Sequence, residues 1–517
     1  MSVRVSVVVP VFNPGPTFDE LIESLDQQTI ETSAFEVILC DDGSDQATQE
    51  RLATIARART NVRVLTLPHS GWPGTPRNHG IAEAAGKYVQ FVDQDDRLFE
   101  SALEKLCDYA DLHSSDVVIG KEVGVGRALP RRIFRRDIPR AILGKDPILE
   151  LLTPHKMFRT AFLRDNDIHF PNGRVRLEDH LFVMEAYFAA DTISVLASVP
   201  CYAWIKHPGS ASSSRIDPVT YFPHLESVLD LVEAHTEPGR LRDRLLRHWF
   251  RGKILKRLSG RQMLRYPDEY RDGFIDVVRP LAERRFGPGV DAGLAFPHRI
   301  RAALLRADRR ADLLRFAKFE NELEASAEVS SARWTRGGGL QLRIRVRVLH
   351  AGQEALRFAV SDATRPVSTW VPPTWLADLP AAALDASRDV RDDQIELLAR
   401  TDAVQAERRL FRRASAGVDV IEVAVDPLKV FRSENAARRA TLRLRVRRAG
   451  WTFDIPVTAD PAVLVRAGRS PLLAGRDCTL MVDEGGVVEL RRDGAAGGMK
   501  DLVGRAVRRV RAARRRS

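Results

Sequence analysis

The chain has 517 residues, 44% hydrophobic and 29% charged, which fits an ordinary soluble protein with room for two to four domains with sizeable cores. No apolar run reaches the roughly 20 residues needed to span a bilayer, and four widely spaced cysteines without a CxxC pair argue against a disulfide frame or a zinc site and for reduced, cytosolic thiols. A formal net charge of +11 favours an anionic partner, whether a phosphate-rich polymer, a membrane surface or nucleic acid.

The first apolar run, within MSVRVSVVVPVFNP, is short and β-branched and ends at Pro10 without a small-residue cleavage site. It therefore reads as a strand over residues 4–11 rather than as a signal sequence. Asn13-Pro14-Gly15-Pro16 turns the chain. Residues 17–28 then carry helical spacing, with Phe18, Leu21, Ile22 and Leu25 on one face and Thr17 as N-cap. A second strand, 35–39, runs into Cys40-Asp41-Asp42-Gly43-Ser44. Helix 46–59, strand 62–67, a Gly/Pro-rich loop over 70–75 and helix 76–85 follow, and then the strand that leads to Asp93. This alternation predicts an α/β, Rossmann-like domain whose mostly parallel sheet carries helices on both faces and binds ligands beyond the carboxyl ends of its strands. Pro10–Asn13, Asp41–Ser44 and Asp93–Asp96 all fall at such ends.

The densest chemistry lies in Val89–Asp96, where a short apolar run is followed at once by Asp93, Asp95 and Asp96. Like charges at a strand end cost free energy unless a cation or a hydrogen-bond donor faces them. On an extended backbone Asp93 and Asp95 point to one side and Asp96 to the other. A hard divalent metal such as Mg²⁺ answers the need; a solvated acidic turn partnered by Arg97 is the alternative.

PVFN at 10–13, DDGS at 41–44, GTPRNHGI at 74–81 and FVDQDD at 91–96 together resemble the family 2 glycosyltransferases of the GT-A fold. The likeness covers roughly the first 210 residues, with Phe12 where many members have Tyr. It implies a nucleotide-diphosphate sugar donor, most often carrying uridine. By that resemblance Pro10, Val11 and Asn13 line the nucleoside, Asp41 accepts a hydrogen bond from the base, and Arg77 approaches the phosphates. Asp93 holds the ribose or sugar, and Asp95 binds the Mg²⁺ or Mn²⁺ that bridges the diphosphate. The roles suit the groups: a guanidinium matches phosphate oxygens, and a metal neutralises a leaving diphosphate. Turn-forming side-chain hydrogen bonds are the alternative use of Asp41 and Asp42.

Further along, Arg131, Arg132, Arg135 and Arg136 form either a solvated basic face or a docking site for an anionic acceptor. Leu181, Val183, Met184, Ala186 and Tyr187 predict a buried helix with Glu178-Asp179 at its N-terminus, where the helix dipole favours carboxylates. In the family the Asp of this pair is the usual general base, and Asp179 matches it; Glu178 would orient donor or acceptor. A base is needed because the attacking hydroxyl must lose its proton as it displaces the diphosphate, and one displacement inverts the anomeric centre. Similar enzymes close a loop over the diphosphate where this chain has Lys206, His207 and Arg215; a generic mobile basic loop is the alternative.

Residues 218–320 carry helical period, with stripes at Leu225, Val228, Leu229, Val232 and at Leu245, Trp249, Ile254, Leu255, Leu258. After residue 325 the period becomes two: Leu340, Leu342, Ile344, Val346 and Val348 alternate with polar or basic residues, and so do Leu442, Leu444 and Val446. The expected organisation is a GT-A domain over 1–215, a helical linker over 216–324, immunoglobulin-like β-sandwich structure over 325–495 and a basic amphipathic tail over 496–517. That architecture is similar to wall teichoic acid glycosyltransferases, which attach N-acetylglucosamine to poly(ribitol phosphate) and whose β-domains mediate homo-oligomers. Cationic strand faces could instead grip a polymer or discourage edge pairing. The tail fits an anionic membrane surface, with a disordered basic tail as the alternative. No recognition motif supports a nucleic-acid partner.

The sequence thus reads as an inverting, metal-dependent glycosyltransferase in the cytoplasm, peripheral at the inner face of the membrane. Its expected reaction moves N-acetylglucosamine from its uridine diphosphate form to a hydroxyl of an anionic cell-envelope polymer. A capsule or lipid-linked glycan polymerase and a non-catalytic polymer-binding scaffold are the alternatives.

Overall fold

The computed structural model describes residues 2–130, 132–207, 215–361, 367–401, 407–414, 420–431, 438–471 and 477–492. Arg131, the stretch 208–214 and the basic tail expected over 496–517 lie outside the described residues. Two compact units emerge, one formed by 1–250 with 276–290 and the other by 251–275 with 291–517. The helical stretch after residue 218 contributes to both.

The first unit is built on an eight-stranded sheet. Its elements are β1 (Val5–Val11), α1 (Thr17–Asp26), β2 (Phe35–Asp41), α2 (Gln46–Arg57), β3 (Val62–Thr66), α3 (Gly74–Glu83), β4 (Tyr88–Phe91), β5 (Arg97–Leu98), α4 (Ala102–His113), β6 (Val117–Val125), β7 (Met157–Arg159), α5 (Thr160–Asp165), α6 (Glu178–Ala189) and β8 (Ile193–Ile205). Strand order is β3-β2-β1-β4-β7-β6-β8-β5. β1 runs parallel to β2 and β4, and β6 runs parallel to β8, whereas β7 and β5 insert antiparallel. Every residue of β1 is buried, as a central strand covered on both faces requires. Register brings the strand ends together: Val11 lies opposite Asp41, and Val92 N–H donates to the carbonyl of Val8.

Three local details differ from the sequence expectation. Thr17 is the first helical residue of α1; Pro16, whose fixed φ suits the entry, holds the cap position without a side-chain bond. α3 begins at Gly74 rather than residue 76, so Arg77 sits on the first turn of a helix that opens at the sheet's rim. The chain after β4 is a turn closed by Asp96 N–H on the Asp93 carbonyl, not extended strand. The carboxylates still separate, Asp93 and Asp95 lining a cleft and Asp96 buried at 2% exposure.

In the helical stretch, α7 (Pro218–Ala234) buries Leu225, Val228, Leu229 and Val232, and α8 (Arg240–Trp249) buries Leu245 and Trp249. In the second unit, β9 (Leu323–Trp334) pairs with β10 (Leu340–His350), where Leu342, Ile344 and Val346 are buried and Arg343, Arg345 and Arg347 are exposed. A five-stranded and a six-stranded sheet bury one common core, the arrangement of a β-sandwich. Part of the cationic face is neutralised within its own sheet, since Arg445 donates to Asp454 at 2.6 Å and Arg409 to Glu396 at 3.2 Å on neighbouring strands. Among the described residues no helix is long and apolar enough to cross a membrane.

Gly86 fixes how closely the turn before β4 approaches β1. A Cβ there would lie 2.5–2.8 Å from Ser6 N, Val5 C and Val5 Cα, all backbone atoms of a fully buried strand. Gly86→Ala should therefore destabilise the protein by about 2–3 kcal/mol, read as a lower denaturation midpoint with the slope unchanged.

Candidate active site

The rim is assembled by side chains that bond to neighbouring loops. Asn13 adopts φ 40°, its N–H donating to Ser44 Oγ and its Oδ1 accepting from Asp45 N–H at 2.9 Å. It therefore ties the first two rim segments together and is not among the residues that line the cleft. Asp42 accepts from Ser70 N–H and Oγ and from Gly71 N–H, which shapes the next loop. Gly43, at φ 72°, permits the close approach of His69, whose ring stacks on Phe12 at 4.3 Å. Gln94 clamps the Phe12 backbone from the other side, accepting from its N–H and donating to its carbonyl. Asp41 is fully buried; its Oδ1 accepts from Ser44 N–H, while its Oδ2 has no partner. A buried carboxylate oxygen left open is costly and suits an incoming N–H donor.

These segments enclose a cleft of about 480 Å³ lined by, among others, Pro10, Val11, Trp72, Arg77, Asp93 and Asp95. Its floor is an ionic cluster. The Arg77 guanidinium, 3% exposed, lies 2.7 Å from Asp93, 3.3 Å from Asp179 and 4.0 Å from Glu178. Burial alone would weaken its charge, but the three carboxylates outweigh burial and raise its pKa. Arg77, expected on a phosphate, thus spends both terminal nitrogens on carboxylates.

A second cation lies beneath Asp93. The His155 Nε2 lies 3.2 Å from Asp93 Oδ2, and its Nδ1 lies 3.6 Å from Glu122. Its ring stacks on Tyr202 at 4.0 Å and 7°. Burial opposes the charged imidazole, yet Glu122 and Asp93 push it up to about 10. Burial likewise disfavours an ionised Asp93, but Arg77 and His155 overcome it and hold the carboxyl well below the usual range. Asp96 faces the core, where Tyr202 Oη–H and Ile205 N–H donate to it and burial pushes it up to about 7.

Asp179 opens α6 beside Glu178, preceded by Leu177 at φ 62°. Its side chain is 31% exposed. Burial raises its pKa against the opposing pull of Arg77, while burial and Asp179 push Glu178 up to about 8. Asp179 is therefore a more basic carboxylate than usual, part-exposed, with the Arg77 guanidinium favouring its charged form.

Asp93, Asp96 and His155 lie close enough to share a cation, with ligand atoms within 4.8 Å of one another. Within that group Asp93 and Asp96 already accept from protein donors, and the carboxylates of Glu122 and Asp93 favour the charged imidazole of His155. Asp95 fits better. Its carboxylate is 46% exposed at the cleft, and burial and then Asp93 raise its pKa, a penalty that a hard cation would relieve. His207 Nε2 sits 2.7 Å from the Asp95 carbonyl. Lys206 is exposed, its backbone held by Val125.

His155, Tyr202, Glu122 and Trp72 carried no signal in the sequence that tied them to the site. Their positions depend on long-range pairing, such as β5 against β8. Arg132 is spoken for by Glu150 at 3.3 Å. Arg97, considered as a partner for the acidic turn, pairs instead with Glu20 at 3.8 Å.

Residues 6–175 match the glycosyl transferase family 2 model, and residues 218–317 match the glycosyl transferase TarS linker domain. The chain is 36% identical over 243 residues to the poly(ribitol-phosphate) beta-N-acetylglucosaminyltransferase TarS of Staphylococcus aureus, covering 45% of this chain and 42% of that one. It thus spans less than half the length of that relative. It is 30% identical over 259 residues to the poly(ribitol-phosphate) beta-N-acetylglucosaminyltransferase TarP of S. aureus, covering 49% of this chain and 79% of that one. Among solved structures, S. aureus TarS 1–349 in complex with UDP-GlcNAc superposes with a TM-score of 0.54 at 30% identity, over 62% of this chain and 90% of that one.

Removing the shared guanidinium should expose the cost of the floor. Arg77→Met is expected to lose about 3–5 kcal/mol of stability at neutral pH, because it strands buried carboxylates. The pairing holds the Asp93 pKa down, so its contribution is present above the ordinary Asp range and fades as pH falls. The gap between Arg77→Met and wild type, measured by urea denaturation, should accordingly hold from pH 7.5 down to about pH 5 and narrow as the pH is taken through and below the ordinary Asp range.

Proposed function

The chain belongs to the family 2 glycosyltransferases, and from that premise we propose that it transfers N-acetylglucosamine from UDP-GlcNAc to a hydroxyl of an anionic cell-envelope polymer of the polyol-phosphate kind. The reading draws on the named activities of TarS and TarP and on the donor in the TarS complex. One observation carries it: Asp179 and Asp93, from different elements, share the single buried guanidinium of Arg77, which lines the cleft together with Asp93.

The proposed catalytic part is residues 1–215. In it, Pro10 and Val11 flank the nucleoside and Phe12 with His69 forms an aromatic wall at its edge. The open oxygen of Asp41 accepts from the base N–H. Asp93, fixed by two cations, accepts from a donor hydroxyl. Lys206 and His207 stand near the diphosphate. Asp95 would hold a divalent cation, Mg²⁺ or Mn²⁺, which when bound neutralises the departing diphosphate.

The Asp179 carboxylate takes the proton of the acceptor hydroxyl as that oxygen attacks the anomeric carbon. The bond from that carbon to the diphosphate oxygen breaks, and UDP leaves with the electron pair. Attack opposite the leaving group inverts the centre and gives a β-linked product from an α-linked donor. Arg77 keeps Asp179 ionised before the transfer, and burial makes it basic enough to accept the proton. Glu178, pushed up to about 8, can hold a proton at neutral pH and donate a hydrogen bond to the donor or acceptor. We further propose that the protein works in the cytoplasm at the inner membrane face, with the C-terminal tail as surface contact, and that the β-domains support homo-oligomers.

Asp179→Asn should lower kcat for UDP release with a poly(ribitol phosphate) acceptor by roughly 10²–10⁴-fold, with the donor KM little changed. A variant as fast as wild type would remove Asp179 from the reaction, and a wild type inert towards every UDP-sugar would overturn the activity. Asp95→Asn should shift the Mg²⁺ or Mn²⁺ titration of wild-type UDP release to higher metal concentration, whereas an identical titration would assign the cation elsewhere.

A further inference from the structure

The segment that leads into Asp179 carries two arginines that the reaction as described leaves without a task. The loop 170–177 is locked onto the start of α3. Asn78 accepts from Phe170 N–H and donates to its carbonyl, both at 2.8 Å. Thr75 Oγ1 donates to Asn172 Oδ1 at 3.3 Å. Pro171 carbonyl packs so near Gly74 that a Cβ there would meet it at 2.7 Å. Phe170 is buried and stacks on Phe182 at 3.8 Å and 7°. The loop is thus an anchored wall.

From that wall Arg174 and Arg176 both reach the indole of Trp72, their guanidinium carbons 6.0 and 5.2 Å from the ring centroid. Trp72 itself lines the cleft with Arg77, Asp93 and Asp95. Among the described residues neither arginine has a carboxylate partner. This sets them apart from Arg77, paired with Asp93, and from Arg159, paired with Asp116. Arg174 is exposed and Arg176 half-buried. Two guanidiniums drawn to one ring repel each other, and the ring holds their orientation without cancelling their charge. An anion between or beside them relieves that repulsion, and planar forks suit phosphate oxygens.

We propose that Trp72, Arg174 and Arg176 form the subsite for an acceptor phosphodiester, holding the phosphate next to the hydroxyl that Asp179 deprotonates. The proposal rests on the polyol-phosphate reading above and deepens it. Sequence position favours the acceptor over the donor as the source of the phosphate. The pair immediately precedes Glu178-Asp179, on the acceptor side of the chemistry, whereas the donor diphosphate is assigned to Asp95. The basic run at residues 132–136 is the poorer candidate. Arg132 is already paired with Glu150, and Ile138 bridges Val195 near the start of β8, whereas Asp93 meets that strand at Tyr202.

The test compares full-length wild type with Arg174→Gln/Arg176→Gln and with Arg174→Lys/Arg176→Lys. Calorimetric binding of a ribitol phosphate oligomer and of UDP-GlcNAc is measured separately, and acceptor and donor KM are measured alongside. The Gln variant should bind the oligomer at least about tenfold more weakly, with acceptor KM raised by a similar factor, and should lose most of the salt dependence of oligomer binding. Donor affinity should stay within about twofold, and the Lys variant should recover part of the loss. An unaltered melting temperature in the Gln variant separates this loss from misfolding, since neither side chain makes an ion pair that folding needs. Equal oligomer binding by wild type and the Gln variant overturns the subsite. A loss confined to UDP-GlcNAc reassigns the arginines to the donor and overturns it too. A wild type that turns over UDP-GlcNAc but binds no polyol phosphate sinks the inference and the acceptor class together, while leaving the glycosyltransferase activity standing.

Discussion

Everything at the rim depends on one buried cation. Arg77 enters the cleft floor from the first turn of α3 and meets Asp93 from the end of β4 and Asp179 from the start of α6. Each carboxylate is 31% exposed, so desolvation works against its charge and the guanidinium offsets that cost. Sharing one guanidinium lets both remain charged and fixes their separation. The arrangement is poor evidence for stability, since buried ion pairs rarely outperform apolar packing. Its value is geometric, in that helix, strand end and second helix are held in one register where a reactant would sit.

The remaining charges fit the same logic. His155, protonated under Asp93, faces Glu122 on its other side, and Lys156 is buried nearby with burial lowering it to about 8. Glu178 and Asp96 are pushed up far enough to carry less than full charge near neutral pH. The floor therefore balances its acids partly by pairing and partly by protonation. Tyr202 links the two halves of the acidic turn, donating to Asp96 and accepting from Asp93 N–H. The residue that faces the core and the one that faces the ligand are thus positioned together.

Much of this was legible in the residues. Alternating apolar runs and helical stripes marked β1 to β4 with their helices, and the acidic ends of β2 and β4 marked the rim. What the sequence hid was partner choice. Arg77 and Asp179 are 102 positions apart, so a guanidinium suited to phosphate could not be told from one committed to carboxylates. The family resemblance implies that Asn13 lines the nucleoside, and its amide is engaged by the second rim segment at Asp45, 32 positions away. Asp41 carries two readings, a turn former and a base acceptor; its Oδ1 serves the turn, and its Oδ2 has no partner. For Asp93–Asp96 the sequence leaves an extended chain and an acidic turn both open, since four polar residues in a row do not reveal that a backbone N–H will fold back on a carbonyl.

The distribution of exposure explains why such a site needs both a rigid floor and an open rim. Arg77 is 3% exposed while the Asp179 it holds is 31% exposed. A guanidinium in water would be screened and would exert little control over its neighbour's proton affinity. A carboxylate as buried as Arg77 could not meet a hydroxyl from a bulky acceptor. Placing the controlling charge inside and the responding charge at the edge gives strong coupling and access together. The same division separates the floor from the arginines on Trp72. The floor's cations are committed to carboxylates and set proton affinities. Those on the wall have no carboxylate partner and lie where an anionic substrate can approach.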